Sequence, residues 1–224
     1  MSKLNKDPSE LIKEIHDYLQ KEREMYGDFN TPDNLAKSLS IDPEQTYDEI
    51  SSKEQKQTQD ASSPKREELS IQQRLENCSN LDQLRALCEK APELKTDLEG
   101  TNLVFGVGNP TADLMIIGEA PGEEEDKQGE PFVGKAGQLL NKILAAIEFS
   151  RDDVYIANIL KHRPPNNRNP KPEERQRSLP YLLKQIDLVN PKLILSLGKV
   201  SAQTLLDSDL PLGKMRGEFH SLQK

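Results

Sequence analysis

Apolar residues recur along this chain with two different periods. At 114–118 ("LMIIG"), 154–158 ("VYIAN") and 193–198 ("LILSLG") they form short runs bounded by glycine or asparagine, the mark of strands buried on both faces. Between the runs the spacing lengthens. Ala136, Leu139, Leu140, Ile143, Leu144 and Ile147 make one helical stripe, and "PEERQRSLPYLLKQIDLV" (172–189) opens on proline and two acids, as a helix start does. Another helical stretch, "SIQQRLENCSNLDQLRALCEKA" (70–91), comes before the first strand. Strand, helix, strand, helix, strand predicts an α/β fold with a parallel sheet covered on both faces. In such sheets the site lies at the carboxyl ends of the strands, where "GEAPG" and Asn158 fall.

The first third of the chain carries a different pattern. "DPSELIKEIHDYLQKEREMYG" has Ser9 as an N-cap and Leu11, Ile12, Ile15, Tyr18 and Leu19 at helical spacing, which predicts an isolated amphipathic helix. From about Leu39 to Arg66 the sequence is rich in Ser, Gln, Glu and Lys and almost without apolar periodicity, as a linker is. The expected organisation is an acidic helical extension at 1–38, a flexible linker at 39–68 and one domain from 69 to 224.

The connection after the first strand breaks the usual rule for α/β units, whose loops run to about two to six residues. Gly118, Pro121, Gly122, Gly129, Pro131, Gly134 and Gly137 crowd into it, with acids between them and Phe132 beyond. One reading is a functional loop that turns backbone N–H groups toward a bound group and sets an aromatic face over a planar ligand. The other is loop punctuation with Phe132 in the core, and spacing alone leaves both open.

Charge changes the picture only locally. The formal net charge is −8, and mean hydropathy is −0.75, low for a domain packed throughout. All of the excess charge lies in residues 1–100, so it does not argue against a polyanionic partner for the second half. There "KHRPPNNRNPKPEERQR" (161–177) concentrates basic residues in a loop rich in proline and asparagine, suited to phosphate contacts or simply to a solvated surface. No long apolar run or signal sequence is visible, which makes the cytoplasm the expected compartment. Cys78 and Cys88 make no disulfide framework and are too few to hold a metal alone.

Taken in order, "TNLVFGVGNPTADLMIIGEAPG", "GEAPGEEEDKQGEPFVGKAGQLLNKIL", "VYIANILKHRPPNNRNPKPEE" and "PYLLKQIDLVNPKLILSLG" closely resemble the family 4 uracil-DNA glycosylases, from about Leu81 onward. The resemblance implies a three-layer α/β/α sandwich and hydrolysis of the bond joining uracil to deoxyribose, with the nucleotide flipped into a pocket. It implies uracil-binding roles for Gly118, Ala120, Pro121, Gly122, Phe132 and Asn158. Phe132 would stack on the base, the Asn158 amide would pair with uracil O4 and N3–H, and Glu119 would orient or activate the attacking water. Lys161, Arg163, Arg168 and Lys171 are the expected DNA-binding residues, and uracil-containing DNA is the expected partner of a monomer. The acids from Glu123 to Asp126 are expected to fix the loop or face solvent.

Two departures from the family pattern carry expectations of their own. The family holds a [4Fe-4S] cluster through four cysteines, and the matching positions here read Cys88, Ala91, His162 and Ser178, so no metal ligand set and no cofactor is expected. The family's closing strand, with a His-Pro motif that supports the departing base, is expected after "LGKMRGEFHS" and is not in this sequence, while His220 reads as a surface residue. The sheet is accordingly expected without its last strand, and a non-catalytic DNA- or partner-binding remnant of the fold is the alternative function. A nucleotide-binding doubly wound module would also accommodate "GEAPG", although no G-x-G-x-x-G or P-loop accompanies it.

Overall fold

The computed structural model describes residues 70–217 and 219–222, together with Lys13, Glu14 and Asp17. Apart from those three, the expected extension at 1–38 and linker at 39–68 lie outside the described residues. Strands β1 (Val107–Gly108), β2 (Leu114–Gly118), β3 (Tyr155–Asn158) and β4 (Leu193–Ser196) form one sheet in the order β1-β3-β2-β4. The apolar runs are thus β2, β3 and β4, and β2 pairs in parallel with each of the other two. β1 pairs antiparallel to β3 and was not expected, because two residues are too few to show a period. Gly108 has φ +118° there, and a Cβ on it would lie 2.0 Å from the Val154 carbonyl oxygen.

Alternation along β2 divides its side chains between two apolar layers. Met115 and Ile117 pack with Ala157 against Leu182, Ile186 and Val189 of helix α5 (Pro172–Val189). Leu114 and Ile116 pack with Ile156 against Leu140 and Leu144 of helix α4 (Lys135–Ala146). The result is the expected α/β/α arrangement. Burying each of these Leu or Ile side chains stabilises the fold by about 1.5–3 kcal/mol, so the α4 stripe outweighs the ~1 kcal/mol that a helix-interior glycine such as Gly137 costs.

The helical stretch at 70–91 is two helices, α1 (Ile71–Glu76) and α2 (Leu81–Glu89). The break follows from capping. Ser70 and Gln73 close the start of α1, and Asn80 Oδ1 accepts the Gln83 amide at 2.9 Å to start α2 anew. Leu75, Leu84, Cys88, Leu94 and Phe105 form a third apolar cluster with Tyr181 of α5. After β4 come α6 (Lys199–Leu206) and α7 (Leu212–Met215), α3 being the Glu123–Gln128 helix described below. Among the described residues β4 is an edge strand, paired with β2 alone; its four residues are half-buried, whereas β2 and β3 are buried throughout.

Candidate active site

Gly118 and Asn158 end β2 and β3 and are register partners. Gly118 lacks a side chain for a steric reason: a Cβ would stand 2.5 Å from Asn158 Oδ1 and 2.5 Å from Phe132 Cζ. The amide of Asn158 and the ring of Phe132 therefore converge over a bare backbone. Asn158 is 2% exposed, yet among the described residues its side-chain amide makes no hydrogen bond. The amide is not among the fully buried unpaired atoms, so it keeps access to solvent and is free to meet a ligand beside the aromatic face.

Phe132 reaches this position through an unusual backbone. Its φ is +56°, a left-handed conformation that costs a bulky residue about 1–3 kcal/mol. Arg151 Nη1 donates to the Phe132 carbonyl at 2.9 Å and Nη2 to the Pro131 carbonyl at 2.7 Å. The next two amides, of Val133 and Gly134, donate to Glu125 Oε1 at 3.0 and 2.9 Å, and the Gly122 amide donates to Glu125 Oε2 at 3.1 Å. Neither Glu125 nor Arg151 was among the site residues expected from the sequence.

The string of acids is itself a helix, α3 (Glu123–Gln128), inside what reads from the sequence as a loop. Acids in a first turn suit the positive end of the helix dipole. As expected, they divide between fixing the loop and facing solvent. Asp126 accepts the Asn102 amide at 2.8 Å, while the exposed Glu123 and Glu124 pair with Lys127 at 2.8 and 3.4 Å. Ala120 packs on the apolar layer under α5, and Pro121 is buried. Glu119 is half-buried. Burial pushes its carboxyl pKa up, and Arg175 pulls it part of the way back.

The basic loop is less available to phosphate than its sequence suggests. Lys161 does not face DNA: it is 0% exposed, and its Nζ donates to Gln185 Oε1 at 2.7 Å and to the carbonyls of Asn158 and Phe105 at 3.0 and 3.3 Å. Burial pulls its pKa down to about 8. Its ammonium holds the carbonyl of Asn158 at the end of β3. Arg168 is engaged as well, forking onto the buried Glu174 at 2.7 and 2.8 Å and reaching Asp97 at 3.2 Å. Lys171 pairs with Asp97, and Arg163 with Asn167 at 2.7 Å and Glu123 at 3.3 Å.

The four positions matching the family's cluster do not form a thiolate set. Ala91 has no donor. Ser178 Oγ donates to the Ile159 carbonyl at 2.6 Å, and His162 Nδ1 lies 3.0 Å from Thr101 Oγ1, with burial holding the imidazole pKa below its ordinary value. Cys88 sits in the third apolar cluster, where burial pushes its thiol up to about 12. Among the described residues, no group of three or more His, Cys, Asp or Glu is placed to hold a metal ion. His220 is exposed and lies 3.0 Å from the Met215 carbonyl, so neither it nor His162 bonds to a candidate site residue. No described helix is long and apolar enough to cross a membrane. A separate open polar cleft of about 570 Å³, between Arg85, Asn102, Lys127 and Glu130, shares no lining residue with Gly118, Phe132 and Asn158.

A bare glycine, an aromatic ring and an amide without a hydrogen-bond partner among the described residues thus meet at the ends of parallel strands on an α/β/α sandwich. The profile of the Uracil DNA glycosylase superfamily matches residues 105–222, and the chain belongs to that superfamily. It is 44% identical over 141 residues to the type-4 uracil-DNA glycosylase of Archaeoglobus fulgidus, covering 61% of this chain and 69% of that protein. The type-4 enzyme of Thermotoga maritima is 46% identical over 121 residues, covering 54% of this chain and 63% of that one. That of Sulfurisphaera tokodaii is 46% identical over 125 residues, covering 55% and 54%.

Proposed function

We propose that this chain removes uracil from DNA by hydrolysing its N-glycosidic bond, and that the uncommitted amide of Asn158 is the group that recognises the base. Asn158 Nδ2 donates to uracil O4 and Oδ1 accepts N3–H; with the amide in that orientation, cytosine presents an amino group and a bare nitrogen at the same places and leaves both unpaired. Sites that read a base by buried hydrogen bonds reject the wrong one by orders of magnitude for that reason. Phe132 stacks on the flipped base, and the absence of a Cβ at Gly118 is what lets its ring and the Asn158 amide come together there. Water held by Glu119 adds its oxygen to C1′ and gives one proton to the Glu119 carboxylate as the C1′–N1 bond breaks, and the bonding pair leaves on N1, which takes up a proton. The names of the relatives support this reading.

The reading includes no iron–sulfur cluster, since alanine and a committed serine stand at two of the four matching positions. Arg163, Arg168 and Lys171 remain at the surface as phosphate contacts, weakened by their carboxyl partners. The test is incubation of the purified chain, with an iron chelator present, with an end-labelled single strand carrying one uracil. Alkali then breaks the strand at any abasic site. Scission at uracil alone, and none in matched strands with cytosine or thymine, is the expected result. Selective binding of the uracil strand without scission favours the non-catalytic alternative, and no preference for uracil in either assay overturns the proposal.

A further inference from the structure

We propose that Arg151 and Glu125 are positioning residues that hold the Phe132 ring over Gly118, an inference that rests on reading this site as a uracil pocket. They grip one short strap of backbone through complementary atoms: Arg151 takes the carbonyls of Pro131 and Phe132, and Glu125 takes the amides of Val133 and Gly134. Between the two grips lies Phe132 itself, with its φ of +56°. An aromatic residue relaxes from that conformation into the extended region unless its neighbours are fixed, and the relaxation swings the ring away. Hydrogen bonds to charged groups are the strong ones, and both ends of the strap have them.

The placement of the two residues links the strap to the strands beneath it. Arg151 lies in the Arg151–Asp153 turn that leads into β3, the strand that ends at Asn158. Glu125 also accepts the Gly122 amide, in the turn that leaves β2 after Gly118. Gly122 and Gly134 are the N-caps of α3 and α4, and neither has a capping side chain of its own; Glu125 satisfies an amide at each. Ring, glycine and amide are in this way held in one frame.

The experiment combines Arg151→Met and Glu125→Ala, singly and with Phe132→Ala, on the full chain. Each single variant is expected to lower kcat/KM on a uracil strand by about tenfold to a hundredfold, the usual penalty for a misplaced recognition group. Affinity for the matched thymine strand should stay within about twofold of wild type. In the Phe132→Ala background the same substitutions should add no more than about twofold, because they act through the ring. A merely structural role lowers the melting temperature but leaves the full loss in place without the ring, and that result overturns the proposal, as does unchanged cleavage in the single variants. Should Glu125→Ala fail to fold, Glu125→Gln, which keeps one acceptor oxygen, takes its place. If the wild-type chain shows no uracil activity at all, the function fails, and amide exchange judges the clamp by itself. Exchange at Val133 and Gly134 at least about tenfold faster in the Glu125 variant upholds it, and unchanged exchange overturns it.

Discussion

Asn158→Ala is expected to lower uracil excision by about 10²–10³ in kcat/KM, the loss measured elsewhere when one preorganised hydrogen-bonding group is removed from an active site, while leaving the fold almost untouched. Both halves of this expectation come from one feature. Asn158 is 2% exposed, and its side-chain amide has no hydrogen-bond partner among the described residues, so truncation orphans no protein group. Surface-like effects on stability, within about 0.5 kcal/mol, are then the rule rather than the several kcal/mol of a broken buried network. Excision kinetics and thermal melts of the same preparation check it. A large fall in melting temperature would mean that the amide has a structural task, and an undiminished rate would remove it from the chemistry.

Gly137→Ala is expected to destabilise the domain by about 3 kcal/mol and to disable the site with it. Helix propensity alone predicts the opposite sign, since alanine is favoured over glycine by about 1 kcal/mol in a helix interior. The deciding magnitude is geometric. A Cβ at residue 137 would lie 1.8 Å from the Phe132 carbonyl oxygen and 2.1 Å from its carbon, and these are backbone atoms that cannot turn aside. Leu140 and Leu144 anchor α4 in the core, so the strap at Pro131–Gly134 must give way, carrying the Phe132 carbonyl off Arg151. Urea or thermal unfolding measures the first effect and uracil excision the second. A melting temperature raised by a few degrees would show that the approach of α4 to the strap is not as close as described.

The layers of this fold were legible because their causes are periodic. β2, β3 and β4 each show as an apolar run, and α4 and α5 as a stripe and a proline-acid start, within a residue or two of where the elements lie. What was not legible has local or long-range causes that a period does not carry. The helix Glu123–Gln128 has no apolar face and is stabilised by its charge at the dipole's positive end, so it reads as loop. Asn80 restarts a helix that the spacing alone would have carried through. Within the site, Gly118, Phe132 and Asn158 were legible through the motifs, and they do converge. Lys161 was misread because a lysine just beyond a strand usually faces water; its partner Gln185 lies on α5 and comes into reach only once the layers have packed. Arg151 sits between a serine and two aspartates, a setting that looks wholly exposed, and nothing local marks its reach to the Phe132 carbonyl.

The most direct test of the uracil pocket is binding of the free base, observed at the side-chain amide of Asn158 by nuclear magnetic resonance. Uracil is expected to shift the two Asn158 side-chain amide protons and the Phe132 ring resonances in a saturable way, and cytosine at the same concentration to leave them in place. Equal responses to both bases, or shifts confined to the polar cleft near Arg85 and Lys127, would contradict the assignment of this site.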